Sequence, residues 1–245
     1  LITIDTLRPD HMSVYGYARA TTPRLEGWAA QGAVFEQAYT YWPKTRGSFI
    51  AMMTGRTAGE SGYSAKHPEI HSFNPTLAET LQKEGYDTAA FVDNANVAGS
   101  LGFSRGFGTY VETWADETLN DEVARTEAIT RRGIEFIKAK AAGDGYFLWL
   151  HYVNPHAPYT PPAPFDAAFT DRPKGDRRLK VVDGFFGGVS RQWAESMPGK
   201  TRLSDFVNAY DGEIAYSDVQ VDEVLKALDA NGGLGRATVI ISSDH

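Results

Sequence analysis

The sequence contains no cysteine, which removes disulfides, thiolate metal ligands and a cysteine nucleophile from consideration. It also has no apolar run near the roughly 18 residues that a membrane-spanning helix needs. Positive charge is scarce: 24 Lys and Arg stand against 31 Asp and Glu, a formal net charge of −7 over 245 residues. A nucleic-acid footprint needs a basic face, so nucleic acid is not an expected partner. What is present, 42% hydrophobic and 22% charged residues, is the composition of a folded globular chain. Both ends are strand-like, Leu1-Ile2-Thr3-Ile4 at one and Val239-Ile240-Ile241-Ser242-Ser243-Asp244-His245 at the other. Domains end in polar linkers, so the chain reads as one domain, 1–245, truncated at both ends.

Short apolar or β-branched runs at 1–4, 33–38, 88–92, 146–153 and 238–242 predict strands. Helical patterns lie between them. Thr22-Pro23 opens one as N-cap and N1 proline, and Gly32 closes it. A second spans 48–53 before Gly55, and a third follows Asn74-Pro75 and ends at Gly85. Longer amphipathic helices are predicted over 121–141 and 204–230. Strands alternating with helices predict an α/β fold, a mostly parallel doubly wound sheet with helices on both faces. The segment 160–203 is proline-rich with little periodicity and is expected to be a loop or lid insertion near the active site.

In an open parallel sheet, ligands bind beyond the carboxyl ends of the strands. Those ends carry Asp5, Asp93-Asn94, His151 with His156, and Asp244-His245. Carboxylates and imidazoles converging on one rim suit a divalent ion, and imidazole favours transition metals. Each residue taken singly also reads as a helix cap or a satisfied structural group. The turn Lys44-Thr45-Arg46-Gly47-Ser48 adds hydroxyls at a helix N-terminus, an anion-binding environment, flanked by cations suited to phosphate or sulfate oxygens. There Thr45 or Ser48 is either a nucleophile candidate or a plain helix cap.

Read in order, Leu1-Ile2-Thr3-Ile4-Asp5-Thr6-Leu7-Arg8-Pro9-Asp10-His11, Tyr15-Gly16-Tyr17 and Thr22-Pro23 resemble the N-terminal signature of the sulfatase family of the alkaline-phosphatase superfamily. So do Thr45-Arg46-Gly47-Ser48 before Thr54-Gly55-Arg56, and Gly85-Tyr86-Asp87-Thr88-Ala89. The loop His151-Tyr152-Val153-Asn154-Pro155-His156-Ala157-Pro158-Tyr159, the helix start Tyr210-Asp211-Gly212-Glu213 and the closing Ser243-Asp244-His245 are similar to later family segments. The resemblance implies an alkaline-phosphatase-like fold and hydrolysis of a sulfate or phosphate ester. It implies Asp5, Thr45, Asp244 and His245 as ligands to one divalent ion (Ca, Mg, Mn or Zn, with Mn or Zn favoured by the imidazole). It further implies Thr45 as nucleophile and His156 on the substrate side, assisting the leaving group. Lys44, Arg46, Asn94 and His151 are the expected substrate-binding residues.

Three departures from the family pattern shape the chemistry. Thr45 stands where sulfatases carry the Cys or Ser that becomes formylglycine, so no formylglycine from cysteine is expected. Asp5 is followed by Thr6 in place of a second Asp, and Asp93-Asn94-Ala95 replaces a Lys-x-His pair. A threonine nucleophile resembles the phosphoglycerol and phosphoethanolamine transferases and some phosphodiesterases, the first alternative. A degenerate, non-catalytic relative that binds an anionic ligand is the second. The expected partner is a small anionic ester, or a sulfated or phosphorylated glycan or lipid headgroup. Trp28, Phe35, Phe91 and Trp149 are expected in the core. His67 and His71 are expected to be exposed, not ligands, Asp10-His11 to fix a turn, and Arg131-Arg132 to lie on a solvated face.

Overall fold

The structure, a computed structural model, describes residues 1–141, 143–184 and 187–245. Its strands are β1 (Ile2–Ile4), β2 (Asp87–Val92), β3 (Thr109–Glu112), β4 (Tyr146–Tyr152), β5 (Val181–Val182), β6 (Val189–Ser190) and β7 (Ile241–Ser243). Its α-helices are α1 (Pro23–Ala29), α2 (Thr45–Thr54), α3 (Ala58–Ser61), α4 (Leu77–Lys83), α5 (Glu122–Lys138), α6 (Arg191–Ser196) and α7 (Leu203–Ala230). The chain divides into two compact units, one of Leu1–Leu7, Phe35–Val153 and Gln220–His245, the other of Arg8–Val34 and Asn154–Val219.

The first unit is built on a five-stranded sheet in the order β3-β2-β4-β1-β7. Every neighbouring pair is parallel, with Thr3 opposite both His151 and Ser242. β1 is wholly buried, and so is β2 beyond Asp87. That explains why these strands read as continuous apolar runs and not as alternating ones. Alternation within β4 sorts its side chains to two faces. Trp149 and His151 turn toward α2, where Phe49 sits 5.2 and 4.7 Å from their ring centroids. Phe49, Ile50, Met53, Ala90, Val92 and Trp149 form the core on that side. Leu150 and Tyr152 face α5: a methyl group added at Gly133 would meet Leu150 at 3.0 Å, and Thr130 Oγ1 lies 3.0 Å from the Tyr152 hydroxyl. Only a residue without a side chain allows α5 so close to the sheet.

Two predicted features of this unit are corrected. Residues 33–38 form no strand, and Val34 and Phe35 are 42% and 72% exposed, so Phe35 is not a core residue. The segment has the apolar composition of a strand but pairs with no described strand. Conversely β3, which was not predicted, pairs with β2; its residues are only half-buried and carry no alternating pattern. α2 begins at Thr45, three residues before the predicted start.

The second unit holds α1, the β5–β6 pair, α6 and residues 203–219 of α7. Val189, Met197 and Phe206 form its small core, with Tyr159, Leu179, Trp193 and Ala194 against it. The predicted loop 160–203 thus includes one short parallel strand pair and α6, while 185 and 186 lie outside the described residues. Fully buried Asp211 is a hub: it accepts from Tyr17 (2.9 Å) and Arg19 (2.6 Å), and His11 Nδ1 lies 2.7 Å away. Thr22 does not cap α1 with its side chain. The free N–H groups of Arg24 and Leu25 donate instead to Asp218, 3.0 and 2.9 Å away on α7. Among the described residues no helix is long and apolar enough to cross a membrane.

Candidate active site

The carboxyl ends of β1 and β7 bring Asp5, Asp244 and His245 together, and the N-terminus of α2 adds Thr45. The ligand atoms of Asp5, Asp244 and His245 all lie within 4.8 Å of one another. His245 Nε2 is 3.9 Å from Asp5 Oδ1, 3.8 Å from Asp244 Oδ2 and 3.5 Å from Thr45 Oγ1. A Zn–N or Zn–O bond is about 2.0–2.2 Å, so one ion can touch both atoms of each of these pairs. Asp5 Oδ1 and Asp244 Oδ2 are buried and have no hydrogen-bond donor among the described residues. A buried carboxylate oxygen left so is costly unless a cation completes it. Two such oxygens, an imidazole and a hydroxyl therefore fit a divalent metal ion.

The other oxygens of the same carboxylates are held. Asp244 Oδ1 accepts from the backbone N–H groups of Thr6 (3.0 Å) and His245 (2.9 Å), and Asp5 Oδ2 accepts from Asn94 Nδ2. One oxygen is thus fixed and the other faces the site, the arrangement that outer hydrogen bonds give to metal-binding carboxylates. Burial pushes the Asp5 carboxyl well above the usual carboxylate range; the Asp244 charge adds to this and Asn94 opposes it.

α2 is pinned to the same strand end. Ser48 Oγ donates to the Asp244 carbonyl, and Thr40 Oγ1 lies 2.9 Å from that carbonyl and 3.1 Å from Ser48 Oγ. Ser48 lies inside the first turn of α2 and is not its N-cap. Thr45 is the first residue of the helix and is 7% exposed, with Lys44 as an N-cap that makes no side-chain capping bond. Gly47 sits under the Trp42 indole, where an added Cβ would lie 2.4 Å from a ring carbon. This turn needs glycine for close approach, not for an unusual φ.

The remaining predicted residues fall in different places. Asn94 shares its amide between Asp5 and the backbone N–H of Asn96, which donates to Asn94 Oδ1 at 2.8 Å. Arg46 reaches Asn96 Oδ1 at 3.1 Å, so Arg46, Asn96, Asn94 and Asp5 form one chain of contacts. Lys44 is exposed. His151 is fully buried, with Nδ1 3.0 Å from Thr3 Oγ1 and Nε2 3.8 Å from Asp5 Oδ2. Asp93 is not at the metal cluster: both its oxygens accept from Arg125 Nε on α5 at 3.0 Å. His156 belongs to the second unit, where its Nδ1–H donates to the Ala157 carbonyl at 2.7 Å. Sequence reading missed Thr6, Thr40 and Ser48 as supports of Asp244, since backbone donors and hydroxyls carry no distinguishing pattern.

A parallel sheet flanked by helices, with two carboxylates, an imidazole and a helix-terminal hydroxyl gathered at its carboxyl rim, is an alkaline-phosphatase-like fold. The sulfatase family model matches residues 1–245, and the chain belongs to the sulfatase family. An arylsulfatase from Clostridium perfringens is 25% identical over 300 aligned positions that cover all of this chain and 62% of the relative. Among solved structures, the phosphonate monoester hydrolase of Agrobacterium radiobacter superposes with a TM-score of 0.77 at 17% identity, covering 100% of this chain and 61% of that one. The C-terminal periplasmic domain of EcEptC from Escherichia coli, in complex with Zn, gives 0.64 at 18% identity, covering 100% and 62%. The chain therefore spans about three fifths of the length of these proteins.

Proposed function

We propose that this chain carries the catalytic machinery of a metal-dependent hydrolase that cleaves a sulfate or phosphate-type ester, with Thr45 as the attacking group. The observation that carries this reading is the convergence of Thr45 Oγ1 on His245 Nε2 beside two buried carboxylate oxygens that lack donors. Asp5, Asp244, His245 and Thr45 would hold the ion. Bound there, a divalent cation supplies a Lewis acid for an ester oxygen and lowers the pKa of a hydroxyl beside it. The imidazole ligand favours Mn or Zn over Ca or Mg, and the structurally similar E. coli domain is described in complex with Zn.

In this mechanism Thr45 Oγ gives its proton to solvent and bonds to the sulfur or phosphorus as the bond to the leaving oxygen breaks. The family resemblance assigns to His156 the donation of a proton to that oxygen. Water then attacks the same centre and restores Thr45, releasing the inorganic anion. The free N–H groups at the start of α2, with Lys44 and Arg46 beside them, favour the anion before and during attack. His151 and Asn94 act through Asp5, the one packed behind it and the other bonded to it, so we assign both a positioning role in place of direct substrate contact. The substrate class is a small anionic sulfate, phosphate or phosphonate ester, alone or on a glycan or lipid headgroup. The C. perfringens relative is named for aryl sulfates and the A. radiobacter neighbour for phosphonate monoesters.

Thr45 itself favours a second reading, transfer of a phosphoryl-type group to an alcohol, because a threonine cannot become a formylglycine. Turnover of aryl sulfate, phosphate monoester, phosphodiester and phosphonate substrates with Mn, Zn, Ca and Mg tests both. Free inorganic anion as product marks hydrolysis, and product on an added alcohol marks transfer. Thr45→Ala should lose at least 1000-fold in kcat while retaining its fold, and full activity in that variant would overturn the assignment. A wild-type chain that binds anions tightly but turns over no substrate would support the non-catalytic alternative.

A further inference from the structure

The loop after α3 contains His67-Pro68-Glu69-Ile70-His71. Ile70 is buried in the α2 core, while His67 is exposed and Glu69 and His71 are half-buried. Their ligand atoms lie within 4.8 Å of one another. Glu69 Oε1 is 3.8 Å from His67 Nδ1 and 3.6 Å from His71 Nδ1, each less than two metal–ligand bonds of about 2.0–2.2 Å.

The cluster is also oriented. His71 Nε2 lies 3.3 Å from the Gly62 carbonyl. A carbonyl only accepts, so that nitrogen carries the proton and the lone pair is on Nδ1, toward Glu69. A backbone partner on the far nitrogen is how metal-binding histidines are held. The His71 ring stacks on Phe73 at 5.4 Å and 10°, and Arg105 donates to the carbonyls of both Ile70 and His71. Gly62 leaves space for the ring, since a Cβ there would meet His71 Cδ2 at 2.9 Å. His67 is set by its own turn, its N–H donating to the Ser64 carbonyl at 3.1 Å.

We propose that His67, Glu69 and His71 form a second metal site, distinct from the Asp5–Asp244–His245 cluster, for a divalent transition-metal ion of the zinc class. Two neutral imidazoles and one carboxylate are a nitrogen-rich set that selects Zn, Ni or Cu over Ca or Mg. Three protein ligands leave a position for water, and the bound ion ties Gly62 to Phe73 in one loop. Of the two histidines expected to be exposed, His67 is exposed and His71 is half-buried.

The test uses the full chain carrying Asp244→Asn, which disables the first cluster. Zn2+ competition against a chromophoric chelator should give one equivalent bound at micromolar affinity. Cu2+ as an electron paramagnetic resonance probe should show coupling to two nitrogens. His67→Asn or His71→Asn should each weaken binding at least tenfold and remove one nitrogen from the spectrum. If Asp244→Asn does not fold, the wild-type chain is titrated instead, and the histidine variants should lower the stoichiometry from two ions to one. Millimolar binding, or binding that the histidine substitutions leave unchanged, would overturn the proposal.

Discussion

The backbone N–H of Thr6 donates to Asp244 Oδ1 across 3.0 Å, joining the turn after the first strand to the carboxylate that ends the last. Thr6 adopts φ 54°, the left-handed region that β-branched residues avoid. The bond to Asp244 persists although the residue making it is strained, at a cost on the order of 1 kcal/mol or more. Asparagine tolerates this conformation, so Thr6→Asn should keep the donation and raise Tm by about 2–4 °C. Thermal unfolding with and without added metal measures it. A drop in Tm would mean that contacts of the Thr6 side chain outweigh its strain.

Asp5 and Asp244 are carboxyls buried side by side, and burial together with the Asp244 charge raises the Asp5 carboxyl to about 8. Ionising Asp5 in this place without a cation is costly, and a bound ion would offset that cost. Asp5→Asn should therefore raise the Tm of the metal-free protein and lower metal affinity at least 100-fold, opposite signs from one substitution. Thermal unfolding in chelator and a metal titration together check this. A variant that loses stability in chelator would contradict it.

Gly47→Ala places a methyl group against the Trp42 ring. Either the indole shifts or the start of α2 does, and Thr45 lies two residues away. A destabilisation of about 1–3 kcal/mol is expected for such overpacking, read by chemical denaturation. Turnover should fall through kcat more than through KM if the helix start moves. Trp42→Ala combined with Gly47→Ala should recover part of the loss.

Glu213 is buried on α7, accepts from Asn154 Nδ2 and the Thr160 N–H, and has its carboxyl raised to about 7, chiefly by burial. A group whose folded pKa lies above its unfolded value holds its proton more tightly in the native state. Its contribution is full below the unfolded pKa near 4.5 and is lost as pH rises toward about 7. The loss should amount to about 2–3 kcal/mol. Denaturant titrations at pH 4.5, 6 and 8 should show it, and Glu213→Gln should flatten that slope even if it lowers stability overall.

Much of the candidate site could be read along the chain because its residues follow strands. Asp5 and Asp244-His245 end runs that are apolar enough to be central strands, and a parallel sheet places such ends on one rim. The helix-terminal position of Thr45 follows from a local turn. Local pattern fails where pairing is non-local. Residues 33–38 have strand composition but no partner strand, while β3 has a partner and little pattern. Thr22 has the chemistry of a cap, yet the α1 amides are satisfied by Asp218, nearly two hundred residues on.

The absence of cysteine, the alternation of central strands with helices, and the residue types at the ends of those strands were determined by the sequence alone, because each depends on composition or short-range periodicity. Which carboxylate oxygen is held and which is left for a cation was decided only by the tertiary structure. So was the pairing of Asp93 with Arg125 in place of a metal, and so was the gathering of His67, Glu69 and His71 around one point. These depend on hydrogen-bond partners and side-chain directions that the chain acquires when distant segments pack, and no spacing along the sequence encodes them.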